Sequence, residues 1–497
     1  MYRVNIPYIL IAIIHFLLVY TKTPYQTSFS AEQTITWIIL KVFSLLFIIL
    51  FWQFIPYAIV QIKNRNIIFK EIMSFSFIYL FINMFVLILI WPGHTHNEFL
   101  FIYAAQTKQE IIFFWHWLSS FEIGITYNIL PYIWGVTLIN SIIQSIIVGF
   151  CVHSIKNKIS KNFYWITFLP FCFPCILILN HTPIRLILIT WLTVLFYTLM
   201  FINMNKEINR KNFSILFGLL TGIIVAFRIE YTPLLILFPL AIYFLKVFNR
   251  KSFASFVLTL IITFSSITFI QKINIKEEYE LHNLCFVYEY VLKNNLKDDN
   301  FENDKKIIEQ VFPHLDDEAH STDVNLSNKE NIKKAYLILT RMLLKNSKHF
   351  IKKNYNLFTK AQIQITNEFF YKPSLGQDFA EQVLKEISPI NSKLRDKIIK
   401  SFIYGTEKYD LSKIYNLYIN LFILGFIFIY GLIKRNSFYT FFTICWLTIV
   451  SLILLTMPWE NYMYLWAFFL NTWLFFTYAI AEILQNILNS IKEKMNN

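Results

Sequence analysis

The chain is organised by apolar runs of about twenty residues that recur along most of its length. An α-helix rises about 1.5 Å per residue, so one such run spans the ~30 Å hydrocarbon layer of a bilayer. Runs of this kind lie at 4–20, 35–60, 72–91, 131–152, 163–180, 184–203, 213–229, 232–248, 253–271, 413–433, 437–457 and 461–484. The expected fold is an all-α polytopic membrane protein with about twelve transmembrane helices. Composition points the same way: 56% of the 497 residues are hydrophobic, and 52 of them are Phe. The first run is followed by TKTPYQTS, which lacks a small-x-small cleavage pattern. It is therefore expected to remain as a span.

The formal charge of +14 could suit nucleic acid, but the basic residues sit in short connections between apolar runs. There they set membrane topology. Alternate connections carry Lys63, Arg65 and Lys70; Lys156, Lys158 and Lys161; Lys206, Arg210 and Lys211; Lys246, Arg250 and Lys251; and Lys434 and Arg435. The other short connections hold one basic residue or none. The positive-inside rule then predicts that both termini are cytoplasmic, and the expected location is the inner (plasma) membrane, crossed many times. No nucleic-acid partner is expected.

Three divisions follow. Residues 1–271 form a membrane domain of nine spans with an interfacial loop at 92–130. Residues 272–412 are hydrophilic and are expected to form a helical outer, periplasmic domain. Residues 413–497 supply the last three spans and a cytoplasmic tail. Within the hydrophilic block, KENIKKAYLILTRMLLKNSKHFIKK has apolar residues at helical spacing with Lys between them. Its only cysteine is Cys285, so no disulfide is expected inside it. Cys172 and Cys175 form a CxxC inside an apolar run without the further ligands a zinc site needs, and read as buried free thiols.

The stretch from Trp91 to Pro131 is too polar to span and too apolar for an ordinary loop. It carries His94, His96, Glu98, Glu110, His116 and Glu122 among Phe, Trp, Tyr, Ile and Leu. That mixture suits a segment at the membrane surface, with aromatics in the headgroup layer. All nine aspartates fall between Asp298 and Asp410. A catalytic carboxylate at the membrane face must then be a glutamate: Glu32, Glu98, Glu110, Glu122, Glu230 or Glu460. Glu98 follows a Trp-Pro-Gly turn under aromatic cover, where a raised pKa would suit a general base; a solvated loop glutamate is the structural alternative.

Arg228 and Glu230 occupy a turn of a few residues between two spans. Arg228 could hold a lipid phosphate, because a guanidinium fork matches phosphate oxygens; alternatively the pair holds helices in register. Arg185 is a second phosphate candidate, or a side chain that snorkels to the interface. His181 beside it could donate a hydrogen bond or act as acid or base. His116 could touch substrate or belong to an aromatic belt. Glu460 and Tyr462 open the last span and could line the same cavity; an acidic first turn also stabilises a helix N-terminus. His94, His96 and Glu98 have the spacing of a partial zinc or manganese site. A lone HxH falls short of a ligand set, so no metal or other cofactor is assigned.

Four stretches together resemble polytopic bacterial glycosyltransferases of the C superfamily, which use polyprenyl-phosphate sugars. They are WPGHTHNEF with the following AAQ and WHWLSS, the NHTPIR turn, FRIEYTPLLILFPL, and PWENYMYL. The resemblance implies that Glu98 activates the acceptor as base and that Arg228 or Arg185 binds the lipid phosphate. The implied partners are a polyprenyl-phosphate-linked sugar and an envelope glycan, lipid or protein acceptor on the outer face. Two other functions fit the same architecture: a polysaccharide polymerase or ligase, and a transporter or lipid flippase, which would place polar groups near the bilayer midplane.

Overall fold

The fold is seen in a computed structural model of the chain. It describes residues 5–23, 26, 28–91, 106, 110–111, 116–156, 158, 163–181, 185–274, 287–294, 296, 300–312, 329–360, 393, 397–398, 416–456 and 465–496. Among these the regular elements are helices, and the protein is membrane-embedded. Their order is α1 (Ile6–Tyr20), α2 (Ala31–Lys63), α3 (Ile67–Leu89), α4 (Trp117–Ile129) and α5 (Ile133–Lys156), then a 3-10 helix (Tyr164–Cys172), α6 (Pro174–Asn180), α7 (Arg185–Asn203) and α8 (Lys211–Ala226). A 3-10 turn (Ile229–Tyr231) leads to α9 (Leu234–Phe244) and α10 (Arg250–Asn274). The hydrophilic block contributes α11 (Phe301–Val311), α12 (Lys329–Lys345) and α13 (Ser347–Lys360). The chain closes with α14 (Leu417–Ile433), α15 (Ser437–Thr456) and α16 (Trp466–Asn496).

Helix occurs at every apolar run. Six of the helices, α2, α3, α5, α10, α15 and α16, are long and apolar enough to cross a membrane. In α1, α7, α8, α9 and α14 the apolar segment is shorter. The run at 163–180 is broken into a 3-10 piece and α6, because Pro170 and Pro174 remove backbone donors. Large apolar side chains such as Leu50, Phe81, Phe85 and Leu258 point outward, away from other protein. A water-soluble protein would not leave such a belt uncovered.

Packing is set by small residues. Along α8, Gly218 and Gly222 face α10 so closely that a Cβ on Gly222 would lie 2.6 Å from Thr263 Cβ, and one on Gly218 2.8 Å from the Phe256 carbonyl oxygen. Both contacts advance together along the two helices, so α8 and α10 run parallel, and α9 is the returning helix that joins them in the chain. Small-xxx-small spacing allows this approach of backbones. Gly149 of α5 meets Ser76 and the Ile72 carbonyl of α3 in the same way.

Two helical hairpins share one turn chemistry. Arg65 (φ 55°) and Arg435 (φ 52°) adopt the left-handed conformation just past α2 and α14. Asn66 N–H reaches back to the Gln61 carbonyl, and Asn436 N–H to that of Gly431, as in a Schellman cap. Each asparagine then caps the next helix, accepting from Phe69 N–H at 3.1 Å and Phe438 N–H at 3.0 Å.

The connections 204–210 and 245–249 lie side by side at one end of the bundle. Asn205 N–H donates to the Leu245 carbonyl at 2.8 Å, Ile208 N–H to that of Val247 at 2.9 Å, and Asn249 N–H to that of Ile208 at 3.3 Å. This short parallel pairing unites Lys206, Arg210, Lys246 and Arg250 at a basic end. At the same end of α3 and α5, Glu71 accepts from Lys156 and hydrogen-bonds His153.

The hydrophilic block has a core of its own, formed by Val287, Tyr288, Phe301, Ile308, Leu339, Phe350 and neighbours. The helical spacing read from KENIK to FIKK is carried by two helices, α12 and α13, which meet at Asn346, whose side chain donates to the Met342 carbonyl at 3.0 Å. This core sits against the end of α15: Asn354 donates to the Leu454 carbonyl at 2.7 Å, and Leu455 packs into the core.

Candidate functional site

The end of the bundle opposite the basic connections carries the candidates that are described with their side chains, His116, His181, Arg228 and Glu230. α8 stops at Ala226, and Pro233 bars the residue before it from helix, so the chain crosses to α9 in a tight turn. Arg228 and Glu230 fall in that turn. Arg228 Nε donates to Glu230 Oε2 at 3.0 Å, and Nη2 donates to Oε1 at 2.7 Å. The side chains are only 7% and 3% exposed. A two-pronged ion pair is the geometry that neutralises two charges denied bulk water. Tyr231 closes the turn, its ring 6.5 Å from Trp446 of α15. Burial pushes its phenol above the ordinary range, opposed by Arg228 and reinforced by Glu230.

His116 docks on this turn from the Trp91–Pro131 stretch. Its ring stacks on Phe227 at 5.0 Å, and Nε2 donates to the Ala226 carbonyl at 3.2 Å. Nδ1 accepts from Leu118 N–H at 3.3 Å, which caps α4. One nitrogen donates and the other accepts, so the bonds select the neutral Nε2–H tautomer. The backbone is strained there, with φ 144°. Trp117 anchors the same corner to α10: its backbone N–H donates to Gln271 Oε1 at 3.0 Å and its indole to the Ile267 carbonyl at 3.1 Å. Two stretches singled out in the sequence, around His116 and Arg228–Glu230, are thus in contact.

α4 does not lie open on a surface. α1, α2 and α5 enclose it, burying Ser119, Ser120, Gly124, Thr126 and Asn128. The apolar residues around its polar ones find helices to pack on. Glu122 is half-buried on α4 with Asn140 of α5 as hydrogen-bond partner; burial raises its carboxyl to about 7, the Asn140 bond opposing. Glu110 accepts from Gln33 of α2 at 3.0 Å.

His181 follows the last residue of α6, at the same end of the bundle. It is wholly buried, and among the described residues neither ring nitrogen meets a partner in good hydrogen-bond geometry. Burial lowers its imidazole to about 3, with the nearby Asn83 backbone opposing, so the ring is neutral. Asn180 beside it donates to Tyr79 Oη at 2.8 Å and Asn83 Oδ1 at 3.0 Å, and accepts from Trp191 at 3.2 Å. Tyr79 in turn donates to the Phe171 carbonyl at 3.0 Å. This buried network ties α3, α6, α7 and the 3-10 helix together. The sequence carried a signal for it: Tyr79 and Asn83 are polar residues four apart in an apolar run, hence on one helix face.

Arg185 opens α7; its side chain, and Glu98, His94, His96, Glu460 and Tyr462, lie outside the described residues. Among the described residues no group of three His, Cys, Asp or Glu side chains could hold a metal. Lys41 of α2 is also buried, 5.2 Å from the Tyr20 ring centroid and 5.9 Å from that of Trp37, and donates to the Thr23 hydroxyl. No family model matches the chain, and no curated protein or solved structure matches it.

Proposed function

We propose that the protein is a membrane glycosyltransferase that moves a sugar from a polyprenyl-phosphate donor to an envelope glycan, lipid or protein acceptor. The proposal includes twelve spans, both termini in the cytoplasm, and the hydrophilic block on the outer face of the plasma membrane. The observation that carries it is the buried Arg228–Glu230 pair with His116 seated beside it. Buried charge at a span end costs stability and is retained where a charged ligand must be met. Glu230 holds the guanidinium fork in a fixed plane, the preorganisation a phosphate site requires.

In this reading Arg228, or alternatively Arg185, binds the lipid phosphate. Glu98 takes the proton from the acceptor hydroxyl. The acceptor oxygen bonds to the anomeric carbon as the carbon–oxygen bond to phosphate breaks, and polyprenyl phosphate leaves as the anion. His181, Glu460 and Tyr462 are the remaining candidates to line the cavity.

The test is mass profiling of envelope glycans in strains deleted for the protein and complemented with wild type, Glu98→Gln or Arg228→Ala. Loss of one sugar unit in the deletion and both variants is the expected result. Loss of polymer length, with Glu98→Gln active, would instead indicate a polymerase or ligase.

A second reading, a lipid or solute carrier, is favoured by the broken 163–180 segment and its buried Tyr79–Asn83–Asn180 network. Ligand-dependent cysteine labelling from both faces would establish it.

A further inference from the structure

α12 presents its polar and apolar residues in an unusual order. Its inward face, with Ile332, Ala335, Leu339 and Leu343, fills the core of the hydrophilic block. The opposite face should be the most polar. At its centre, however, stand Leu337 and Leu344, seven residues apart and 67% and 61% exposed. At 100° per residue these two lie within about 20° of each other, in the middle of the outward arc. Ile351 of α13 adds a third outward apolar group.

Cations surround them. Lys333, Lys334 and Arg341 flank the leucines on α12, and Lys348 and Lys352 follow on α13. The acidic groups they meet are few: Glu330 pairs with Lys334, and Asp304 pairs with Arg341. A leucine ridge bordered by lysines is the pattern of a helix lying in a headgroup layer, where apolar side chains enter the acyl boundary and ammonium groups meet lipid phosphates. The position of the block supplies the membrane. α13 is bonded to the end of α15 through Asn354 and the Leu454 carbonyl, and Leu455 of α15 belongs to the same core. A spanning helix therefore ends inside this block.

We infer that the α12–α13 face is a peripheral membrane contact that seats the hydrophilic block on anionic lipid. The inference stands apart from the transferase reading, since it concerns neither Arg228 nor Glu98.

The test uses the full-length chain, with its five native cysteines replaced by serine, in nanodiscs of phosphatidylcholine with and without phosphatidylglycerol. Spin labels at Leu337→Cys, Leu344→Cys and, as an aqueous control, Lys306→Cys are compared for collision with oxygen and with a water-soluble nickel complex. The expected result in discs containing phosphatidylglycerol is a several-fold gain in the oxygen-to-nickel ratio at 337 and 344, with none at 306. Nickel exposure at 337 and 344 equal to that at 306 would overturn the inference. So would shielding from both agents, which would mean protein covers the face, and so would equal shielding without anionic lipid. Lys333→Glu/Lys348→Glu in the Leu344→Cys background should lose the gain while the Lys306 label reports an intact block.

Discussion

His116 lies flat against Phe227, ring centroids 5.0 Å apart, and donates to the carbonyl of the residue before it. That contact joins the polar stretch after α3 to the charged turn after α8. Replacing His116 by Ala removes the stack, the bond to Ala226 and the cap on α4. The expected loss is about 2 kcal/mol, from a buried hydrogen bond and a cap together. Phe at this position keeps the stack alone and should recover less than half. Thermal unfolding in detergent reads both, and equal stability of wild type and Ala would remove the contact from the site.

The Arg228–Glu230 pair makes opposite forecasts for single and double substitution. Arg228→Ala or Glu230→Ala strands a buried charge and should cost about 3–5 kcal/mol. Arg228→Met with Glu230→Leu strands none and should unfold closer to wild type, while glycan transfer is lost. A double variant less stable than both singles would show that the pair is not a mutually compensating unit.

Gly222 should tolerate no side chain. Ala there brings a Cβ to 2.6 Å from Thr263 Cβ, and overpacking of this kind costs about 1–3 kcal/mol. Adding Thr263→Gly should return part of the loss. Failure of that second change to help would mean that the strain lies elsewhere.

Glu122 predicts a pH dependence of stability. Its folded pKa of about 7 is above the ordinary carboxylate value of 4.5, so the folded state holds the proton more tightly. Stability is therefore greatest below the unfolded pKa. It falls as pH rises from about 4.5 to about 7 and changes little beyond. Glu122→Gln keeps a partner for Asn140 and cannot ionise, so it should raise the melting temperature at pH 8 and leave it nearly unchanged at pH 4. A gain of equal size at both would assign the effect to packing.

Arg65→Gly and Arg435→Gly should each stabilise the protein, by up to about 1 kcal/mol. Glycine adopts the left-handed conformation without a Cβ penalty, offset in part by its freer unfolded chain. A fall in melting temperature for either would indicate that the arginine side chain outweighs its backbone strain.

Local features were legible in the sequence and lateral ones were not. Apolar runs located helices, and Arg228–Glu230 read as a turn because two charges interrupt apolar residues just before Pro233. The division between α12 and α13 at Asn346 was not read from the sequence, since apolar residues continue at helical spacing across it. The enclosure of α4 was hidden too: the residues that bury it, such as Leu40 of α2, are distant in the chain. Gly218 and Gly222 did carry a spacing signal for close helix contact, but the partner, Thr263, could be named only from the fold. Glu122 stood among six glutamates with nothing local to mark its half-burial.

The parallel contact of α8 with α10 also bears on how the chain is made. When α8 leaves the ribosome its glycine face has nothing to meet, and it must wait in lipid or beside the translocon until α9 has turned back and α10 has followed. The pairing of 205–208 with 245–249 holds the starts of α8 and α10 level, so that their glycine and threonine faces are in register once both are made. The Arg228–Glu230 turn, at the far end, has partners from both sides of it in the chain: His116, made before it, and Trp446, made after it.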